Sequence, residues 1–401
     1  MTYPIAKLGE VAEFIRGITF KPDDVVPLDT DDAVVCMRTK NVQALLDCDD
    51  LLAVPSQFVR RKDQYLEEGD ILVSSANSWN LVGKCCWIPR LPWRAAFGGF
   101  IAVLRGDSER VDRRYLYWWF ASDRIQALLR SFGQKTTNIS NLNIERCLGL
   151  DLPLPPLPEQ RRIAAILDKA DALRTRRREA LAQLDRLAQS IFVEMFGDPV
   201  SNPKGWLSRK LGDLTVKMGS GSTPTGGDAA YKESGISLIR SMNVHNGCFV
   251  HKNLAFIDDA QGAKLKNVVV EADDVLLNIT GASVARVCRA PSDVLPARVN
   301  QHVMIIRTSN ELSSIFLERL LLNPSMKTLL LKVGGAGATR EAITKADAEE
   351  LSVIVPPKGL QLEFERRLRQ TLKLHELHEA ELTGISDLFS SLQHCAFRGK
   401  L

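Results

Sequence analysis

One long internal repeat constrains the fold of this chain more than any other feature. Short segments of the first half recur in the same order about 200 residues later. The matched segments are Leu8–Glu10 with Leu211–Asp213, Arg38–Val42 with Arg240–Val244, Asp70–Leu72 with Asp274–Leu276, Gln160 with Gln361, and Phe196 with Phe397. Because solenoid repeats are only about 20–50 residues long, this repeat indicates a duplicated domain, and two copies in one chain suit a target with two parts.

Length and charge leave several classes of protein open. A chain of 401 residues can form two or three domains with cores of their own. The net charge of +4 permits nucleic-acid binding without arguing for it. Eight cysteines are scattered without a CxxC pair, which predicts free thiols in a reducing cytoplasm. Charged residues interrupt the first apolar stretch, and no apolar run reaches the length of a membrane span, so neither a signal peptide nor a span is expected.

Each half begins with a region of short predicted strands, followed by one predicted helix. Apolar runs bounded by Gly, Pro, Asn and Asp predict strands at 34–37, 70–74, 84–88, 100–104, 237–240, 274–279 and 302–307. Helical spacing of apolar residues predicts single helices at 112–130 and 312–332. The fold class is therefore α+β, with mixed domains at 1–152 and 200–355.

A proline-rich segment and a long helix follow each domain, at 153–199 and 356–401. Four prolines within 153–158 predict a stiff extended segment, with little packing between domain and helix. Helical spacing then runs from Glu159 to about Phe196, where Gly197–Pro199 ends it. Heptad spacing is expected at 166, 173, 180 and 187 and at 170, 177, 184 and 191, with Arg177 as a flaw. The apolar stripes predict two antiparallel helices packed together, with a domain at each end.

Catalytic motifs are missing from the sequence. The Gly-rich run at 219–227 lacks the Gly-Lys-Ser/Thr of a phosphate-binding loop and contains Pro224, so we interpret it as a surface loop. The proline pairs lack the polar and aromatic neighbours of the adenine methyltransferase motif, and no convincing nuclease cluster is present. His375 and His378 are interpreted as packed side chains rather than metal ligands. The pattern predicts a non-catalytic chain without a bound metal.

Two kinds of segment are candidates for binding. A loop rich in Gly and Thr precedes each proline-rich segment, at 133–138 and 334–340, and its small polar residues suit close approach to DNA. The alternative is a loop that merely closes the domain. A basic cluster at 174–178 lies on the first long helix. It is either a solvated helix face or a contact for phosphate or an acidic partner.

Four stretches together resemble the specificity subunits of Type I restriction–modification systems. They are Leu154–Ile163 (LPPLPEQRRI), Ser190–Pro199 (SIFVEMFGDP), Gly221–Thr225 (GSTPT) and Ala396–Leu401 (AFRGKL). Some positions depart from the pattern, since Leu360 stands where Glu159 does, Gly17–Phe20 replaces the GSTP signature, and Gly98–Gly99 replaces Asn300–Gln301. Divergence of this kind is expected if the two domains recognise different sequences.

The resemblance implies a non-enzymatic subunit that selects a DNA site. Each target recognition domain would read one half of a bipartite, asymmetric site in double-stranded DNA, and the long helices would set the gap. Two modification subunits would dock on the helices with S-adenosylmethionine for adenine N6 methylation. Restriction subunits would join with ATP and magnesium, while this chain would bind no cofactor and would act in the cytoplasm. The alternatives are a stand-alone bipartite DNA-binding regulator and a cryptic nuclease.

Five loop segments rich in polar side chains are the candidates for base contact, because Arg, Lys, Asn, Gln, Ser and Thr pair with base edges. The DNA-binding candidates are Asn77, Ser78, Trp79, Lys135, Thr136, Thr137, Asn138, Thr223, Thr225, Asn300, Gln301, Thr339 and Arg340. The partner-binding candidates on the helix are Arg161, Arg174, Arg177 and Arg178.

Overall fold

The computed structural model describes residues 3–132, 134–135, 140–224, 230–335 and 342–401. The chain forms two compact units, one of Met1–Arg178 with Ala380–Leu401 and the other of Glu179–Glu379. The helices are α1 Arg113–Phe120, α2 Asp123–Ser131, α3 Ile144–Leu148, α4 Leu157–Phe196, α5 Asp259–Lys264, α6 Ser314–Leu321, α7 Pro324–Gly335, α8 Lys345–Glu349 and α9 Lys358–Ala396. This confirms the predicted α+β class with two long helices.

The first unit contains two main sheets and two short strand ladders. Its strands are β1 Ile5–Lys7, β2 Ala12–Arg16, β3 Ala33–Met37, β4 Ala53–Pro55, β5 Ile71–Ser74, β6 Ala76–Asn77, β7 Cys85–Trp87, β8 Ala95–Phe97, β9 Ile101–Gly106, β10 Gln134–Lys135, β11 Ser140–Asn141 and β12 Asp151–Pro153. The main sheets run in the orders β2–β9–β5–β7 and β4–β3–β8. β1 pairs with β12 and brings the start of the domain to its end, directly before the long helix.

The second unit repeats this topology. Its strands are β13 Ser208–Lys210, β14 Thr215–Ser220, β15 Ile236–Ile239, β16 Val244–His245, β17 Cys248–Phe249, β18 Ala255–Ile257, β19 Val269–Val270, β20 Val275–Asn278, β21 Val287–Arg289, β22 Ala297–Val299, β23 Val303–Thr308 and β24 Ser352–Ile354. The order β14–β23–β20–β21 matches β2–β9–β5–β7, the order β18–β15–β22 matches β4–β3–β8 with β19 as an additional strand, and β13 pairs with β24. The sequence repeat is therefore a repeat of fold.

The single helix predicted in each domain is wrong in both cases, because each stretch forms two helices. In the first domain, Ser122 has an extended backbone (φ −67°, ψ 144°) and separates α1 from α2. In the second domain, Pro324 begins α7. Proline is favoured at the start of a helix, where its missing N–H has no partner to lose, and it is excluded from the interior.

The proline-rich segment is also shorter than predicted. Pro153 ends β12, and the long helix begins at Leu157, so Pro158 lies in its first turn. The first N–H groups of a helix have no intrahelical acceptor, so a proline is tolerated there. At its other end the helix stops before Gly197, whose φ of +79° lies in the left-handed region that glycine tolerates.

The two predicted heptad positions of α4 differ in burial, because Ala170 of one is buried whereas two leucines of the other are exposed. Leu173 and Leu187, placed on the seam by the sequence, are 52% and 48% exposed. The buried track instead runs through Leu167 and Ala188, which places this heptad position one residue further along the chain. Arg177 is no flaw, because its guanidinium pairs with the carboxylate of Glu381 on α9 at 2.9 Å.

Packing between domain and helix is extensive, contrary to the sequence expectation. In the first unit, Ile163 and Leu167 share a core with Tyr115 and Leu116 of α1. In the second unit, Phe364 of α9 joins a core with Phe316 of α6. The apolar faces of α1 and α6 are covered by the helices that follow them, so each compact unit cuts across the predicted domain boundaries.

In the described part of the chain, no helix has the length and hydropathy of a membrane span.

Candidate nucleic-acid interface

A repeated asparagine braces one turn in each unit. In the first unit, Asn41 accepts a hydrogen bond from the backbone N–H of Arg38 at 2.7 Å and donates to the carbonyl of Asp47 at 2.9 Å. In the second unit, Asn243 accepts from Arg240 at 3.0 Å and donates to Val250 at 2.9 Å. Both asparagines are buried. The recurring Arg-x-x-Asn-Val sequence therefore builds the framework and does not face a ligand.

A buried ion pair is repeated in the same way. The carboxylate of Asp70 accepts two hydrogen bonds from Arg105, at 2.8 and 2.7 Å. Asp274 accepts two from Arg307, both at 2.8 Å. Two-point pairing of this kind fixes the direction of both side chains. These pairs join the start of β5 to β9 in the first unit and the start of β20 to β23 in the second. Because both units share this framework, the candidate loops are where sequence differences can serve recognition.

Glycine permits a close backbone approach beside these loops. A Cβ atom at Gly17 would lie 2.3 Å from the carbonyl oxygen of Gly98, and one at Gly221 would lie 1.8 Å from that of Val299. No other residue fits at such distances. The loop after β2 is therefore held against the residues before β9, and the loop after β14 against those before β23. Thr223 of the second unit corresponds to Thr19 of the first.

In the first unit, the structure brings two separately predicted candidate segments together. Asn77 of β6 is paired with Ser140 of β11, which continues to β10 at Gln134–Lys135. Asn77 donates to the Ser74 hydroxyl at 3.1 Å, and Ser78 donates to the Asn80 side chain at 2.8 Å. Trp79 is 49% exposed. The predicted candidates Thr136, Thr137 and Asn138 lie outside the described residues, as does the side chain of Lys135.

In the second unit, polar side chains form a continuous chain of hydrogen bonds. The Thr223 hydroxyl donates to the side-chain oxygen of Gln301. The Gln301 amide nitrogen lies 3.1 Å from Nε2 of His302, and Nδ1 of His302 lies 2.6 Å from the Thr280 hydroxyl. Asn300 is buried instead, and its side chain accepts from the backbone N–H of His302 at 3.0 Å. Asn300 therefore supports the turn, while Gln301 faces outward. Of the other candidates, Thr225, Thr339 and Arg340 lie outside the described residues.

A small groove beside these hydrogen-bonded side chains contains residues that were not predicted from the sequence. The groove has a volume of about 310 Å³ and is lined by Ser241, Thr280, Gly281, Ala282, Ser283, Arg286 and His302. The sequence repeat could have predicted some of the residues that line this groove. Residues 281–283 occupy the place of 77–79 in the first unit, which the sequence predicted as candidates, so the repeat offset would have predicted these three residues but not Thr280.

The four candidate arginines of the long helix divide into two pairs. Arg161 and Arg178 are exposed. The Arg174 guanidinium lies 3.6 Å from the ring centre of Phe389 and pairs with Asp171, whereas Arg177 pairs with Glu381. Contacts within the chain therefore occupy Arg174 and Arg177, and the outward-facing charges are those of Arg161 and Arg178.

Known proteins of one family share this architecture. The family described as the Type I restriction modification DNA specificity domain matches residues 2–184. The chain is 25% identical to the specificity subunit of the Type I restriction enzyme StySPI from Salmonella potsdam, over 99% of this chain and 88% of that protein. It is 22% identical to the EcoKI specificity subunit from Escherichia coli K12, over 99% and 89%. The crystal structure of the Type I S subunit from M. genitalium matches in fold, with a TM-score of 0.53 and 15% identity over 99% of this chain and 96% of that one.

Proposed function

We propose a function that proceeds from family membership, because this chain belongs to the specificity subunits of Type I restriction–modification systems. It is a non-catalytic subunit with a role in DNA sequence specificity. In our proposal, the chain recognises a bipartite, asymmetric site in double-stranded DNA. Each unit binds one half-site, and partner subunits methylate adenine N6 or cleave the DNA.

One observation carries the proposal: the two units share a framework and differ in their loops. The braces at Asn41 and Asn243 are alike, whereas Gly98–Gly99 stand where the second unit has Asn300–Gln301. Base edges are read by side chains, and phosphate contacts carry no sequence information. Two units with the same framework and different loop side chains are suited to two different half-sites.

The long helices are proposed to set the gap between the half-sites. α4 has 40 residues and α9 has 39, so each spans about 60 Å at a rise of about 1.5 Å per residue. Both helices contribute residues to both units. Half-sites one helical turn apart on B-DNA lie about 34–36 Å from each other. Continuous helices shared by both units are suited to hold such a spacing constant.

Modification subunits are the proposed partners of the outward helix faces. Leu173, Leu374, Leu377 and Leu388 are between 46% and 55% exposed on α4 and α9. Large apolar side chains that are this exposed on a helix are candidates for a protein interface. We propose that two modification subunits, carrying S-adenosylmethionine, dock there, with Arg161 and Arg178 among the contacts. Restriction subunits would add ATP and magnesium, and the complex would act in the cytoplasm. A stand-alone regulator would have no use for these faces.

Exchange of one recognition domain tests the proposal. Residues 1–152 would be replaced by the same region of a relative, together with the helix residues Ile163 and Leu167 that its core contacts. We expect one half of the methylated motif to change and the other half to remain. The measurement is methylation-site sequencing in cells that express the partner subunits. A hybrid that folds and still methylates the original full motif would contradict the assignment of one half-site to each unit.

Insertion of one heptad into both helices tests the spacing. The insertions belong beside Asp185 and His375, because these residues face each other across the helix pair at 3.4 Å. Seven residues add about 10 Å, so the gap should change by about three base pairs at about 3.4 Å each, or binding should fail. An unchanged gap would rule out the helices as the spacer.

In the loops, Lys135→Ala and Arg340→Ala are each proposed to weaken DNA binding.

A further inference from the structure

We propose that the groove at Thr280, Arg286 and His302 in the second unit binds a guanine edge of the half-site, with Arg286 as the base-reading residue. The inference rests on the proposed function, since it assigns one contact within the DNA site of this unit. It adds a base identity and a specificity-determining residue. Three features of the groove carry it: the direction of its hydrogen bonds, the free guanidinium, and the contrast with the first unit.

The hydrogen bonds of the groove run in one direction. The Gln301 side-chain oxygen accepts from Thr223, so its amide nitrogen is the donor to Nε2 of His302. Nδ1 of His302 must then carry the proton and donate to the Thr280 hydroxyl. With its oxygen engaged as an acceptor, the Thr280 hydroxyl has its own proton free to donate. These hydrogen-bonded side chains therefore present a hydrogen-bond donor, the Thr280 hydroxyl, to the groove.

Arg286 adds further donors from a fixed position. The backbone on either side is held, because Asn278 donates to the Arg286 carbonyl at 2.8 Å and Arg286 donates to the Ser283 carbonyl at 3.2 Å. Among the described residues, no partner of the Arg286 side chain is found and no carboxylate lines the groove. Neighbouring arginines are engaged differently, since Arg289 pairs with Asp273 and Arg307 pairs with Asp274. A half-buried guanidinium without a counter-ion is suited to a ligand that supplies acceptors.

Guanine matches this set of donors better than the other bases. In the major groove it presents two adjacent acceptors, O6 and N7, and arginine binds them with two parallel hydrogen bonds. Adenine offers one acceptor beside a donor, which leaves one of the two parallel arginine donors unmatched. The first unit differs at the matching strand position, where the Lys84 ammonium donates to Gln43. The guanine contact is therefore assigned to the second unit alone.

Substitution of Arg286 tests the inference in the complex with its partner subunits. In Arg286→Ala, methylation-site sequencing should show one guanine of one half-site relaxed, with discrimination at that position reduced about 10-fold or more. The other half-site should be unchanged. Arg286→Lys is the matched control, because lysine keeps the charge but cannot form the two-point contact. The lysine variant should also relax the guanine.

Phosphate offers the same acceptor chemistry, and the two variants separate the sources. If Arg286→Ala weakens methylation at every site equally and Arg286→Lys restores it with the motif unchanged, the contact is to phosphate and the inference is overturned. An unchanged motif at wild-type efficiency in both variants would overturn it as well. Failure of the proposed function would be distinct, because the wild-type chain with its partners would then give no bipartite motif at all.

A substitution in the DNA gives an independent measurement. Once the guanine is located, replacing it with 7-deazaguanine removes the N7 acceptor and leaves the remaining edge intact. The wild-type complex should lose about 10-fold in affinity, whereas Arg286→Ala should show no further loss. Equal losses in both proteins would contradict the contact. Thr280→Val should reproduce a part of the relaxation and Thr280→Ser should not, because only serine retains the hydroxyl that His302 orients.

Discussion

The two units join the sheet to α1 and to α6 with different chemistry on the same framework. In the first unit, the Arg114 guanidinium lies 4.8 Å from the ring centres of Trp87 and Trp118 and pairs with Asp168 at 2.6 Å. In the second unit, the residue matching Trp87 is Arg289, which pairs with the buried carboxylate of Glu318. An arginine held by aromatic rings and by a carboxylate of the long helix α4 has been exchanged for an arginine paired with a buried carboxylate of α6. The exchange shows that the repeat preserves the fold of this junction without preserving its side chains.

The long helices differ between the units in a second respect. Arg174 and His375 occupy matching positions of the repeat. Arg174 carries a permanent charge beside Asp171 and Phe389. His375 lies between Asp185 at 3.4 Å and Glu379 at 3.6 Å, and its charge depends on pH. Two matching helix segments are thus held by a fixed cation in one unit and by a titratable one in the other.

The largest expected effect comes from breaking the shared framework in each unit. Asp70→Ala and Asp274→Ala each remove the buried carboxylate of a two-point arginine pair, so that Arg105 keeps only Glu67 and Arg307 keeps only Glu271 as a carboxylate partner. Loss of one member of a buried pair costs about 3–5 kcal/mol in free energy of unfolding, and we expect the lower end of that range because an exposed carboxylate remains beside each arginine. We expect similar losses in both units, measured by denaturant unfolding with hydrogen exchange to locate the unit affected.

The matched control for these variants is an exposed pair. Asp151→Ala removes the partner of Lys7, and both side chains are more than half exposed. Exposed pairs contribute less than about 1 kcal/mol, so this variant should unfold nearly as the wild type does. A large loss for Asp70→Ala with a small one for Asp274→Ala would show that the framework is not equivalent in the two units.

A smaller effect is expected from the glutamines that join each helix to its domain. Gln160 accepts from the backbone N–H of Asp112 at 2.8 Å and donates to the carbonyl of Pro155 at 2.7 Å. Gln361 makes the same contacts with Ser313 and Pro356, both at 2.8 Å. Both side chains are buried, so substitution by alanine leaves backbone groups unpaired, at about 2 kcal/mol.

Gln183 provides the control for the glutamine variants, because it is exposed on the same helix as Gln160. Gln183→Ala should change the free energy of unfolding by less than about 0.5 kcal/mol. Gln160→Ala should increase hydrogen exchange at the start of α4, and Gln361→Ala at the start of α9. If neither variant differs from Gln183→Ala, the repeated glutamine does not hold the helices to the domains.

The sequence predicted the duplicated fold because the matched residues are framework residues. Asp70 with Asp274 and Gln160 with Gln361 are buried, and buried contacts restrict substitution on both sides of the repeat. The buried face of α4 was harder to predict from its heptad spacing, because Leu173 and Leu187 are apolar yet exposed. Periodicity alone does not say which stripe of a long helix is covered. Arg286 was missed because the sequence does not show which arginines are paired, and only the structure shows that its side chain has no partner among the described residues.

The smallest expected effect concerns the titratable cation of the second unit. Hydrogen bonds to Asp185, followed by those to Glu379, raise the pKa of His375 to about 9 from its usual 6.5. A raised pKa in the folded state means that the protonated imidazole is stabilised by folding. The stability is complete below about pH 6.5 and is lost as the pH rises through about 9. We expect a loss on the order of 1 kcal/mol, since Asp185 is 59% exposed and its attraction is screened.

His375→Arg separates this titration from other effects of pH, because it gives the second unit the residue that the first unit has in Arg174. The variant should retain the ion pair across pH 6.5–9, so the difference in unfolding free energy between wild type and variant should grow over that range. An NMR titration of the wild-type imidazole measures the pKa directly. A midpoint near 6.5, or parallel pH profiles for wild type and variant, would show that His375 adds no pH dependence. The helix segments of the two units would then be alike in charge behaviour, despite carrying arginine in one and histidine in the other.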